Sequence, residues 1–172
     1  MKKIIPSYPA IVFIILMVAA CQDTEKAYLM PTDSMKPTLV TGDRIFVNLH
    51  YYLTNEPKRG DVIVFPFPEN KKKDFLKRIV GLSNEEIRIQ DGHVFINNEQ
   101  LEEDYALFEG DSLEKNMDTV LVPSGYIFVM GDNRNNSNDS RMFGPVPIKD
   151  IKGKATRIYW AKDKSRIWSE IK

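Results

Sequence analysis

What constrains this chain most is the rhythm of its apolar residues. From residue 44 onward, short segments rich in β-branched and aromatic side chains recur, each bounded by Gly, Pro, Asn or Asp. No stretch beyond the first twenty residues sustains a helical period. Residues 44–53, 61–67 and 126–130 read as strands, and residues 155–160 supply a late one. Glu86-Ile87-Arg88-Ile89-Gln90 and His93-Val94-Phe95-Ile96 alternate polar and apolar residues on either side of Asp91-Gly92. That dipeptide tolerates the positive φ angles of a two-residue hairpin turn. Residues 101–122 are more acidic and less periodic, and read as an excursion from the main sheet, a small cap. Residues 162–172 carry no signal. With 172 residues, 42% hydrophobic and 28% charged, the chain can bury one main core and a small second lobe. The expected class is mainly β.

Charge excludes one class of partner. The 24 basic and 24 acidic side chains cancel, and no Lys/Arg stripe recurs, so nothing favours a nucleic-acid surface. The one basic cluster, Lys71, Lys72 and Lys73, reads as a solvated loop, with anionic lipid headgroups as the alternative contact.

The first twenty residues have the layout of a secretory signal. Lys2 and Lys3 precede an apolar run from Ala10 to Ala20, 11 residues long, against the roughly 20 a spanning helix needs. Pro6 and Pro9 oppose extending a helix upstream, so a retained membrane anchor is the second choice. Val18-Ala19-Ala20-Cys21 resembles the lipobox of bacterial lipoproteins, which implies acylation of Cys21, the single cysteine of the chain. Residues 21–27 then read as a linker.

Chemistry-bearing residues concentrate in three places. In Met30-Pro31-Thr32-Asp33-Ser34-Met35-Lys36-Pro37-Thr38, two prolines bracket Ser34 and stiffen its backbone. A serine there is either a turn residue or one presented at a cleft edge. In Phe75-Leu76-Lys77-Arg78-Ile79-Val80-Gly81, a lysine sits among strand-forming residues. Pointing outward it is a surface cation. Pointing inward, it loses hydration, and its pKa falls from about 10.4 toward neutrality, making a free amine available as a base. The third place is Gly131-Asp132-Asn133-Arg134-Asn135-Asn136-Ser137-Asn138-Asp139-Ser140-Arg141, directly after the strand at 126–130. Alone, it reads as a polar loop.

In this order, the three segments resemble the signature boxes of bacterial type I signal peptidases, and Arg59-Gly60-Asp61-Val62-Ile63-Val64-Phe65 resembles another. The resemblance runs from about Tyr28 to Trp160. It implies an antiparallel β-sheet catalytic domain of signal-peptidase type over residues 28–161, with a small inserted cap lobe at 82–125 and a tail at 162–172. It implies a serine endopeptidase with Ser34 as nucleophile and Lys77 as neutral general base. Thr32 and the Ser34 backbone N–H match the oxyanion hole, where one positioned donor is worth about 3 kcal/mol of barrier. Ser137 matches a serine that orients the lysine amine. Asp139 with Arg141, and Arg78 with Asp132, match supporting ion pairs.

Three departures stand out. Asp33 occupies a position where the family has a small residue, Ser83-Asn84-Glu85 replaces an expected Pro-Gly-Asp turn, and the lipobox replaces spanning helices. The implied substrates are exported preproteins with small residues at the first and third positions before the cleaved bond. The implied location is the extracytoplasmic side of the membrane, with membrane lipids as the partner of an acylated Cys21. No metal or organic cofactor is called for, and His50 and His93 have no metal-ligand spacing. The competing possibility is a catalytically inactive surface lipoprotein that keeps the fold as a binding module.

Overall fold

The computed structural model describes residues 24–109 and 115–172. The signal-like segment and Cys21 lie outside the described residues. The strands are β1 (Glu25–Leu29), β2 (Arg44–Asn48), β3 (Val62–Phe67), β4 (Asn70–Gly81), β5 (Glu86–Gln90), β6 (His93–Ile96), β7 (Glu99–Gln100), β8 (Met117–Leu121), β9 (Tyr126–Met130), β10 (Val146–Pro147) and β11 (Gly153–Trp160). Among the described residues, one short α-helix, α1, spans Ser140–Phe143. A seven-stranded sheet has the order β1-β2-β11-β3-β4-β9-β10, and a four-stranded sheet has the order β7-β6-β5-β8. The fold is mainly antiparallel β, as the sequence rhythm predicts.

Each strand's pattern follows from what covers it. In β3, Val62 and Val64 face one core with Ile45, Val47 and Ala155, while Ile63 and Phe65 face another with Ile79, Ile127 and Val129. Being covered on both sides, β3 is apolar throughout its length. By contrast, β5 has one buried face, where Ile87 and Ile89 meet Val94 and Ile96 of β6, and its pattern alternates. The β5–β6 turn sits at Asp91 (φ 51°) and Gly92 (φ 86°), the positive pair that an Asp-Gly hairpin turn requires. Phe128 and Met130 of β9 face the smaller sheet and join its core, so β9 belongs structurally to both layers. Gly81 ends β4 where a Cβ would approach Ile87 Cδ1 to 2.6 Å, so the seam between the sheets admits no side chain there.

Four expectations need correction. Lys71, Lys72 and Lys73 are not a loop but the exposed start of β4, where Lys71 pairs with Asp150 at 2.6 Å. Residues 44–53 are not one strand: β2 stops at Asn48, whose side chain accepts from the His50 N–H at 2.9 Å, and Tyr51–Leu53 forms a 3-10 turn. Part of the expected linker is strand β1, paired along β2 from Glu25↔Asn48 to Leu29↔Arg44. As a half-exposed edge it carries Glu25 and Lys26, so it lacks the apolar signal of a core strand. The segment after β11 is also structured. It turns back, with Trp168 N–H donating to Ile158 O at 2.7 Å and Ile171 N–H to Thr156 O at 2.9 Å, and Ile171 joins the core beside Ile158.

Candidate active site

Ser34 sits in the loop that links β1 to β2. Met35 and Leu39 are fully buried in the core, and the Leu39 N–H donates to Met35 O at 2.8 Å, so apolar side chains pin the loop on the inner side of the serine. Met30 N–H donates to Asp43 O at 2.8 Å and Gly42 N–H to Met30 O at 2.9 Å, closing the loop on itself. The Lys36–Pro37 peptide is cis.

Lys77 lies on β4, opposite Ile63 of β3. Alternation puts it on the face of Phe75 and Ile79, which turns the side chain inward, and it is 4% exposed. Its Nζ lies 3.0 Å from Ser34 Oγ and donates to the Leu76 carbonyl, also at 3.0 Å. The Phe75 ring lies 5.3 Å from the amine. Loss of hydration is the main cause that pulls the Lys77 pKa from 10.5 down to about 8. Asp139 and Asp132 oppose that fall, while Arg141 adds to it. Thus a minor fraction of free amine exists near neutral pH and grows through mildly alkaline pH, with its lone pair in reach of a hydroxyl proton.

The other residues singled out by the sequence gather around this pair. Thr32 Oγ1 is 3.2 Å from Ser34 Oγ, on the solvent side of the serine. Arg78 holds Asp132 through two hydrogen bonds, Nε to Oδ1 at 2.8 Å and Nη2 to Oδ2 at 2.7 Å, and both are within 1% of full burial. Arg141 Nε reaches Asp139 Oδ1 at 2.8 Å, and Asp139 Oδ2 accepts from the Gly131 N–H at 3.0 Å. Asp139 also caps α1, accepting from the Arg141 N–H, and so fastens the loop after β9 to it. Ser137 differs from expectation. Its hydroxyl makes no hydrogen bond and lies against Gly131, and the Leu76 carbonyl accepts a hydrogen bond from the amine instead. Asp33 turns away from the pair: Oδ1 accepts from the Thr41 N–H at 2.8 Å and Oγ1 at 2.7 Å, and Lys36 Nζ lies 3.0 Å from Oδ2. These bonds hold its carboxyl down at about 2.

Several participants carry no signal of their own in the sequence. Thr38 Oγ1 donates to Asp132 Oδ2 at 2.5 Å. The Asn133 N–H donates to the Ser34 carbonyl at 3.1 Å. Tyr105, from the irregular stretch before β8, places its ring 4.0 Å from the Arg78 guanidinium, and Glu103 pairs with buried Arg134 at 2.6 Å. Gly131 admits the serine loop because a Cβ there would lie 2.5 Å from Ser34 O. Thr38 and Gly131 stand inside the recognised motifs, whereas Tyr105 and Glu103 stand outside them. A cleft of about 250 Å³ opens beside the dyad, between Tyr28, Met30 and Thr32 on one wall and Asp74, Leu76 and Lys77 on the other. Among the described residues, no cluster of three or more His, Cys, Asp or Glu is arranged to hold a metal.

The family model for signal peptidase, peptidase S26, matches residues 3–160. The chain belongs to that family. Among S26 relatives, thylakoidal processing peptidase 1 of Arabidopsis thaliana is 36% identical over 145 residues, covering 78% of this chain and 42% of the relative. The probable signal peptidase I-1 of Synechocystis is 40% identical over 133 residues, covering 73% and 66%. The chain therefore spans less than two thirds of the length of both. A crystal structure of a signal peptidase I from Enterococcus faecalis V583 superposes with a TM-score of 0.51 at 33% identity, covering 58% of this chain and 97% of that one. The S26 fold is thus the fold of this chain.

Proposed function

We propose that the protein is a serine endopeptidase that cleaves signal peptides from exported preproteins on the extracytoplasmic side of the membrane. The single observation that carries this is the 3.0 Å contact between Ser34 Oγ and a nearly fully buried Lys77 Nζ at the wall of a cleft. Membership of the S26 family supports it. Ser34 Oγ attacks the scissile carbonyl while its proton passes to Lys77 Nζ, which then gives it to the departing amine. The resulting ester is hydrolysed by a water that Lys77 deprotonates in turn. Thr32 Oγ1 and the Ser34 N–H donate to the developing oxyanion. Ser137 takes up the orienting role when its unpaired hydroxyl turns from Gly131 toward the amine. The Arg78–Asp132 and Arg141–Asp139 pairs keep the geometry and carry no proton.

An extended peptide pairs with the cleft walls through its backbone, and Met30, Leu76 and Val64 offer an apolar surface that suits small residues before the cleaved bond. Cys21 in its lipobox-like setting, acylated, is the proposed tether to membrane lipid. Among the described residues, no helix is long and apolar enough to cross a membrane.

The test is cleavage of a purified preprotein carrying Ala at the first and third positions before the cut. Wild type should release the signal peptide, and Ser34→Ala and Lys77→Ala should each abolish release. Cleavage that persists in either variant would refute the dyad. Mass spectrometry of the mature N-terminus tests the tether, with acylated Cys21 expected and an unprocessed Met1 opposing it.

A further inference from the structure

The segment after β11 grips the loop that carries the nucleophile. Arg166 Nη1 lies 2.9 Å from Asp43 Oδ2, and Arg166 Nη2 donates to the Thr38 carbonyl at 2.7 Å. Asp43 is 1% exposed. Its Oδ2 also accepts from the Val40 N–H at 2.9 Å, while its Oδ1 has no partner. Among the described residues, Arg166 makes the one ion pair of this buried carboxylate. Thr38 is therefore held from two sides, by Arg166 at its carbonyl and by Asp132 at its hydroxyl, 2.5 Å away. Asp132 in turn holds Arg78, the neighbour of Lys77 on β4. A continuous set of contacts, Arg166–Thr38–Asp132–Arg78, thus ties the loop of the serine to the strand of the lysine.

We infer that Arg166 is a positioning residue for the dyad: its two-pronged hold on Thr38 and Asp43 sets the Ser34–Lys77 separation. This rests on the proposed protease activity. The guanidinium suits the task because its planar fork serves two acceptors at once, whereas a lysine can serve one or the other. Arg166 does not line the cleft beside the dyad, so its loss should spare substrate binding. Misplacement of reacting groups by a fraction of an ångström lowers the chemical step and leaves KM alone.

The experiment is steady-state cleavage of a preprotein by wild type, Arg166→Met and Arg166→Lys, with rates expressed per folded molecule from urea titrations. In Arg166→Met, kcat should fall at least about tenfold with KM within about twofold, and added guanidinium chloride at about 20 mM should restore part of it. Arg166→Lys should remain well below wild type because one prong is missing. An unchanged kcat per folded molecule in Arg166→Met would overturn the inference, as would a fall confined to the loss of folded protein without rescue. If wild type itself cleaved nothing, the proposed function would fail, and the Lys77 Cε signal followed by NMR against pH would decide this inference. A loosened loop admits water and moves that midpoint upward in Arg166→Met, and an unaltered midpoint would overturn it.

Discussion

Lys77→Met should stabilise the fold at neutral pH while abolishing cleavage. Burial lowers the Lys77 pKa from 10.5 to about 8, so between those values the unfolded chain binds a proton that the native state does not. Stability of the wild type must then rise with pH through that window and flatten above it. Over about 2.5 units the penalty on the native ammonium is roughly 3 kcal/mol at pH 7. Methionine fills a similar volume and removes the penalty, but it forfeits the bonds to Ser34 Oγ and Leu76 O, roughly 1 kcal/mol each. The net expectation is a variant about 1 kcal/mol more stable than wild type at pH 7. That advantage should shrink above pH 8 and reverse by about pH 10, as the native amine is already neutral and the unfolded one progressively loses its proton. Urea unfolding of both proteins at one-unit steps from pH 6 to 10 measures this directly. A stability difference independent of pH across that range would mean that Lys77 titrates normally, and would remove the physical basis for a lysine base.

Activity should follow the same group: kcat/KM should rise about tenfold from pH 7 to 9 as the ammonium loses its proton, and Lys77→Arg should be inactive throughout because guanidinium stays charged. Cleavage by Lys77→Arg at a rate close to wild type would make Lys77 a charge partner only. Asp132→Ala strands the buried Arg78 guanidinium with Thr38 and two carbonyls and should cost about 3–5 kcal/mol in urea unfolding; a loss below about 1 kcal/mol would contradict the burial of the pair. Gly131→Ala drives a Cβ into the Ser34 carbonyl and should abolish cleavage with the fold retained by circular dichroism; a variant cutting at wild-type rate would show that the serine loop yields freely. Asp33→Asn should leave the pH midpoint of activity within about 0.3 units, since the carboxylate faces Thr41 and Lys36 and the charges that bear on Lys77 are Asp139, Asp132 and Arg141. A larger shift would mean that Asp33 acts on the base.

Local chemistry was enough to locate most strands and one turn in detail. Asp91-Gly92 specifies its hairpin because two adjacent positive φ angles exclude most other residues, and β3 and β9 announce themselves because burial on both faces makes every position apolar. The candidate site is readable at a second level, as motifs whose co-occurrence in order carries the meaning. No single segment distinguishes a nucleophile from a turn serine, or a base from a surface lysine. The orientation of Lys77 was a tertiary decision. Alternation says that it shares a face with Phe75 and Ile79, but only the packing of the serine loop and of Phe143 of α1 on that face makes it the inner one. The same holds for β1, whose polar edge becomes a strand only through its ladder with β2, and for Tyr105, brought over Arg78 from a stretch with no periodicity. Arg166 is the clearest case. Its fork acts on Thr38 and Asp43, more than a hundred residues earlier, and such a contact leaves no trace in local sequence because neither partner's neighbours depend on it. Spacing along the chain determined what each segment could become, and closure of the sheet determined which side chains met.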